Sequence, residues 1–267
     1  MLEEEDRVQN AYCTHPEIDI AIVYLPHIAN ASDFTPLKME KNVNVRFVRS
    51  PEALHCPDLL ILPGTKNTAW DLSYIRKIGW ENTLKSHFSK TPIMGICGGF
   101  EMLGEHIYDP HNCESNLKQI QGLGFFDFTV HFKKEKTVKQ VCYQPYPHHM
   151  FKDSGPIFGY EIHQGEIHEK TLLSPLFFSK QHTNGTIQDG TIQDGTIHQD
   201  HLTFGTFVHD IFQNPLFTRT LVNHLRKRRG LPPLKTPLID PKKERENSLD
   251  RLACDIKRHI DMESLLS

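Results

Sequence analysis

The chain has 267 residues and a mass of 30.8 kDa, enough for one large domain or two small ones with a sizeable core. Thirty Lys and Arg against 33 Asp and Glu leave a net charge of -3, which sets up no field to collect nucleic acid or an anionic membrane, so neither is expected as a partner. No apolar run approaches the ~20 residues of a membrane span, the first residues are acidic where a signal peptide would be basic and then apolar, and the six cysteines are scattered without a C-x-x-C pair, so a cytoplasmic protein without a metal site is expected.

About sixteen polar residues come first, read as a linker-like segment over 1–16. The fold is expected to begin at residues 18–24, a short β-branched apolar run like a buried strand. Residues 43–48 and 58–62 are further strands, separated by stretches that can hold a helix or a long loop, the rhythm of an α/β protein. The third strand stops at Pro63-Gly64-Thr65-Lys66-Asn67-Thr68, and Trp70, Leu72, Ile75 and Ile78 then fall at near-helical spacing behind a cap at Asn67 or Thr68. A fourth strand ends at Cys97, with a glycine-rich helix following at once. Later strands are expected at 124–132, 158–162 and 203–208, then a helix opened by Pro215 that closes on Lys227-Arg228-Arg229. After Leu231-Pro232-Pro233, residues 244–266 read as an amphipathic helix with Leu249, Leu252, Ile256 and Ile260 on one face. The expected fold is an open, mostly parallel sheet flanked by helices over 17–230, with a C-terminal linker and helical arm over 231–267. A five-residue unit beginning at Gly185 and repeated at Gly190 and Gly195 marks a low-complexity insert over 183–201, expected as a mobile loop or extended hairpin with no chemistry of its own.

The chemistry centres on Gly95-Ile96-Cys97-Gly98-Gly99. Its spacing is that of a nucleophile elbow, between an apolar strand and a helix as that motif requires. Flanking glycines leave room for a sharp turn, a helix N-terminus favours thiolate, and the Gly98 amide is placed to meet an oxyanion. A buried packing cysteine is the competing reading. Seventeen histidines make the mere presence of an imidazole uninformative, so position decides. His209 follows a strand at the end where open α/β sheets place their sites. His148 and His149 fall in a loop, and His163 and His168, five apart, would lie on opposite faces of a continuing strand.

Ordered motifs then carry a resemblance. Residues 25–34, residues 58–68, the stretch from Gly95 to Gly104, Gly159-Tyr160-Glu161-Ile162-His163-x-Gly165 and Gly205-Thr206-Phe207-x-His209 together resemble the glutamine amidotransferase domain of cobyric acid synthase, in the cobyrinate-type branch of the class I amidotransferases. The resemblance implies that Cys97 attacks the side-chain amide of L-glutamine to give a γ-glutamyl thioester and ammonia, with His209 as base and then acid and the amides of Gly64 and Gly98 holding the oxyanion. The position two residues after the histidine, acidic in many class I relatives, is Ile211 here, which leaves Asp210 and Glu161 as the nearest candidates to orient the ring. Glu101 stands near the glutamine site where the family usually has Gln, and Asp210 where Gly is common. A complete family member also carries an ATP-binding synthetase domain that activates corrin carboxylates. This chain has no G-x-x-x-x-G-K-[ST] loop, so ATP and Mg are expected only on a separate synthetase partner. Two alternatives stay open: a catalytically impaired remnant acting as a binding module through the C-terminal helix, and a glutaminase subunit of a related cobyrinate a,c-diamide or cell-wall amidotransferase.

Overall fold

The computed structural model describes residues 16–147, 150–169, 174–183 and 186–259. The segment 1–15, His148 and His149, and Ile260 with the end of the C-terminal arm lie outside them.

Strand β1 (Ile18–Val23) alternates its side chains between two cores: Ile18, Ile20 and Ile22 face one, Ala21 and Val23 the other. This period of two with both faces buried is what a central parallel strand requires. A 3-10 turn (Ala31–Phe34) and a short helix (Thr35–Met39) lead to β2 (Val43–Val48), and β3 (Leu59–Leu62) pairs on the other side of β1. The helices Thr68–Lys77 and Trp80–His87 follow, then β4 (Ile93–Ile96) and the short helix Gly98–Met102. The first of these is capped as its sequence suggests, the Asn67 side chain accepting from the Trp70 amide at 2.8 Å.

β5 (His106–Tyr108) and β6 (Gln119–Gln121) lie off the main path. Beyond them run β7 (Phe128–Pro145), β8 (Ile157–Glu169), the hairpin of β9 (Ser174–Thr183) and β10 (Thr186–Ile197), and finally β11 (Thr203–Thr206) and β12 (Val208–His209). The order β2-β1-β3-β4-β11 is parallel throughout, and from β11 the sheet continues antiparallel through β10, β9, β7 and β8 to β12. The architecture is thus a mixed, mostly parallel core sheet with an antiparallel extension, flanked by helices. One face packs against the helix Pro215–Arg228 through Phe217, Leu221 and Leu225, the other against the three earlier helices through Leu72, Trp80, Leu84 and Phe100. Full burial of each such side chain contributes about 1.5–3 kcal/mol.

Several elements differ from the reading of the sequence. The strand expected over 124–132 begins at Phe128 and runs to Pro145, and the one expected over 158–162 runs to Glu169, because the two pair with each other through most of that length. From Thr186 on, the repeat forms β10 of an extended hairpin with β9, the second of the two forms expected for it, but its last unit is built into the core. Asp194 is buried, its carboxylate accepting from the Thr206 hydroxyl and from the Phe207 amide at 3.2 Å. The C-terminal helix starts earlier than expected, at Pro241, where Asp240 accepts from the Lys242 amide at 3.0 Å, and it runs to His259 with Leu249 and Leu252 exposed. No helix among the described residues is long and apolar enough to cross a membrane.

Candidate functional site

The C-terminal ends of the parallel strands meet on one edge of the sheet. Chain order reverses between β1 and β3, the crevice where open α/β sheets bind ligands. Four loops converge there, after β1, β3, β4 and β11.

Cys97 follows β4 with φ 50° and ψ -114°, a left-handed region costly for a residue with a Cβ. The turn exists because glycine flanks it. A Cβ on Gly95 would sit 2.7 Å from Phe100 Cα, and one on Gly99 would run into the Leu62 carbonyl, so both positions need the bare backbone. The thiol is 6% exposed, and its Sγ donates to the Ile162 carbonyl on β8 at 3.5 Å. Burial pushes the Cys97 thiol up and Glu101 adds to the rise, while the Gly98 amide against the sulfur opposes both.

His209 reaches the same place from the sheet's far edge. It is 1% exposed, and its ring meets Cys97 across Gly64: a Cβ placed on Gly64 would lie 3.0 Å from His209 Cε1 and 3.7 Å from Cys97 Cβ. Any side chain at Gly64 would fill the space that separates the two. The group on His209 Nδ1 is Asp33, whose Oδ2 lies at 2.8 Å with its side chain only 4% exposed. The Asn30 side-chain amide lies 3.1 Å from the same nitrogen. A carboxylate only accepts, so Asp33 holds the proton on Nδ1 and leaves Nε2 as the basic nitrogen.

Neither carboxylate expected to orient the ring does so. Asp210, next to His209, sits at φ 59° in a left-handed turn, and its interaction with the imidazole is one of charge alone; burial and then Asp33 push its carboxyl up. Glu161 faces away, accepting from the Tyr143 hydroxyl at 2.6 Å, from Lys139 Nζ at 3.0 Å and from His163 Nε2 at 3.3 Å. Asp33 lies 176 residues from its partner, so no spacing rule could have joined them. Its place in the loop after β1, opposite the glycine turn after β3, was the available sign.

Glu101 is buried directly below the elbow. Its Oε2 accepts from the Thr68 hydroxyl at 2.8 Å, and the Gly165 amide donates to the same carboxyl. Burial pushes this carboxyl up against those two donors, toward the uncharged form that a glutamine side chain would present. Glu114 lies beside it, its Oε2 accepting from the Ala69 amide at 3.1 Å; burial and then the Glu101 charge push Glu114 up to about 8. His163 stacks on Phe207 with ring centroids 3.9 Å apart, and its Nδ1 donates to the Gly165 carbonyl at 2.7 Å. Burial would lower this imidazole, but Glu161 and the Gly165 carbonyl outweigh it and hold it above the ordinary histidine value. His168, on the opposite face of β8, lies instead against His131, the ring centroids 4.2 Å apart and the planes tilted by 36°.

The structure therefore brings Cys97, His209, Gly64, Gly98 and Glu101 to one edge of the sheet and adds Asp33 and Asn30 to them. A strained thiol, an imidazole with one nitrogen fixed by a buried carboxylate, and backbone amides at the elbow are the parts needed for covalent acyl transfer.

Among solved structures, that of PurLQS from Thermotoga maritima shares this fold at a TM-score of 0.57 and 15% identity, over 78% of this chain and 99% of that one. A glutamine amidotransferase crystal structure superposes at 0.52 with 14% identity, over 79% and 99%. In sequence, the cobyric acid synthase of Clostridium botulinum strain Loch Maree is 38% identical over 274 residues, covering 100% of this chain and 52% of that protein. That of Klebsiella pneumoniae strain ATCC 700721 is 41% identical over 254 residues, covering 93% and 48%. The chain spans about half the length of these curated relatives. With residues 19–217 matching its family profile, the chain belongs to the CobB/CobQ-like glutamine amidotransferase domain family.

Proposed function

We propose that this chain hydrolyses L-glutamine through a Cys97 thioester and supplies the ammonia to an ATP-dependent synthetase, which amidates corrin side-chain carboxylates in cobyric acid synthesis. The observation that carries this reading is the elbow thiol set across Gly64 from an imidazole that Asp33 holds by its far nitrogen. In the first step the thiol proton passes to His209 Nε2 as Sγ bonds to the amide carbon of the substrate. The amides of Gly64 and Gly98 receive the charge on oxygen. The imidazolium then returns its proton to the leaving nitrogen, the C–N bond breaks, and ammonia departs. Water, deprotonated by the same nitrogen, cleaves the thioester to glutamate. ATP and magnesium have their place on the synthetase and not in this chain.

Glutamate release by the purified chain, alone and with an ATP-dependent cobyric acid synthase synthetase half, tests the proposal. Release that vanishes in Cys97→Ser and His209→Asn supports it; release that survives Cys97→Ser, or no release under either condition, overturns it. A second reading, a docking module without turnover, draws on one observation: the thiol is buried, pushed up and bonded to the Ile162 carbonyl. Alkylation of Cys97 by a glutamine-analogue diazoketone separates the two, because a silent module would not be labelled.

A further inference from the structure

The site described above leaves one part of the Gly159-Tyr160-Glu161 motif without a task. β12 pairs antiparallel with β8 in the register Val208↔Glu161 and His209↔Tyr160, so Tyr160 is the direct cross-strand neighbour of the imidazole. The two rings stack, with centroids 5.2 Å apart and planes 19° from parallel. Gly159 makes the approach possible: a Cβ there would collide with the His209 carbonyl oxygen and with Val208 Cγ1. On its other side Tyr160 lines a cleft with Val141, Phe158, Gln213 and Lys242, so its ring forms the wall between that cleft and His209.

Asp33 fixes one nitrogen of the imidazole but leaves the ring free to swing about the Nδ1···Oδ2 line. A flat aromatic face removes that freedom. Resting on the assignment of His209 as the proton carrier, we propose that Tyr160 is a positioning residue, whose ring sets the imidazole plane so that the edge carrying Cε1 and Nε2 faces Cys97 across Gly64. The phenol takes no part in proton transfer. Burial, Asp33, Asp210 and Cys97 push it up to about 12, so it stays neutral wherever the enzyme works.

The test uses the full chain with Tyr160→Phe, which keeps the ring and loses the hydroxyl, and Tyr160→Leu, which keeps apolar bulk and loses the flat face. Glutaminase kcat and KM are measured together with the low-field proton resonance of the His209 Nδ1–H···Asp33 bond. Tyr160→Leu should lower kcat by about ten- to a hundredfold, with KM for glutamine within about threefold, and should broaden the resonance. Tyr160→Phe should stay within about threefold of wild type and keep the resonance sharp. The proposal is overturned by Tyr160→Leu with wild-type kcat and a sharp resonance, or by Tyr160→Phe losing as much as Tyr160→Leu. Should wild type itself release no glutamate, the proposed function fails, while the resonance in the two variants still decides whether Tyr160 holds the ring.

Discussion

Replacing Asp33 by asparagine keeps the shape of the His209 seat and removes its charge. In the proposed reaction the imidazole becomes cationic only after it has taken the thiol proton, so the carboxylate at 2.8 Å from Nδ1 stabilises a transient species more than the resting one. Both side chains are almost wholly shielded from water, at 1% and 4% exposure, so solvent screens the pair weakly. Unit charges about 4 Å apart in an effective dielectric of about 20 attract by about 4 kcal/mol, and each ~1.4 kcal/mol is tenfold in rate. Allowing for an amide oxygen that still accepts the Nδ1 proton, Asp33→Asn should lose roughly 10²–10³ in kcat for glutamate release, with KM for glutamine little changed. Steady-state assay of glutamate against glutamine concentration reads both constants, and Tm of the variant checks that the fold is intact. A kcat within about threefold of wild type, or a loss confined to KM, would refute the argument that this buried pair is the orienting device.

Three further outcomes follow from the same geometry. Glu101→Gln removes the charge that adds to the rise of the Cys97 thiol, so the pH profile of Cys97 alkylation by iodoacetamide should move to lower pH; an unmoved profile would show that the Glu101 charge does not act on the thiol. Glu114, raised from 4.5 to about 8 in the folded chain, contributes stability that is complete below 4.5 and is lost as pH rises through about 8, so Glu114→Gln should match wild-type Tm on the acid side of that window and exceed it on the alkaline side. Gly64→Ala would put a methyl 3.0 Å from His209 Cε1, and glutamate release should fall by at least about tenfold while Tm holds; a fully active variant would mean that the ring and the thiol do not meet across this glycine.

Much of the parallel half was legible because β1, β3, β4 and β11 are short apolar runs buried on both faces, and β3 and β4 run straight into glycine turns. The Asn67 cap, the turn at Gly64 and the elbow at Cys97 are local events, written within a few residues. The antiparallel half was not legible to the same degree. Residues 133–140 of β7 are mostly charged or polar and show no apolar face of their own; residues 137–140 are extended because β8 pairs with them, and 133–136 form the irregular stretch where the register shifts. Asp194 looked like one of several equivalent residues in a repeat, and it is the return of β11 beside β10 that brings Thr206 and the Phe207 amide to its carboxylate. The pairing of Asp33 with His209 is of the same kind. A turn near the start of the chain and a strand 176 residues on are joined by the order of the strands between them, which no local pattern encodes.

In the proposed reaction one sulfur becomes covalently attached to glutamine. Acid quenching of the chain during turnover with labelled L-glutamine, followed by peptide mapping, tests this directly. A γ-glutamyl label is expected on the peptide carrying Cys97, absent in Cys97→Ser and not formed on the free Cys56, Cys113, Cys142 or Cys254. Label on any of those four, or glutamate release without label on Cys97, would contradict it.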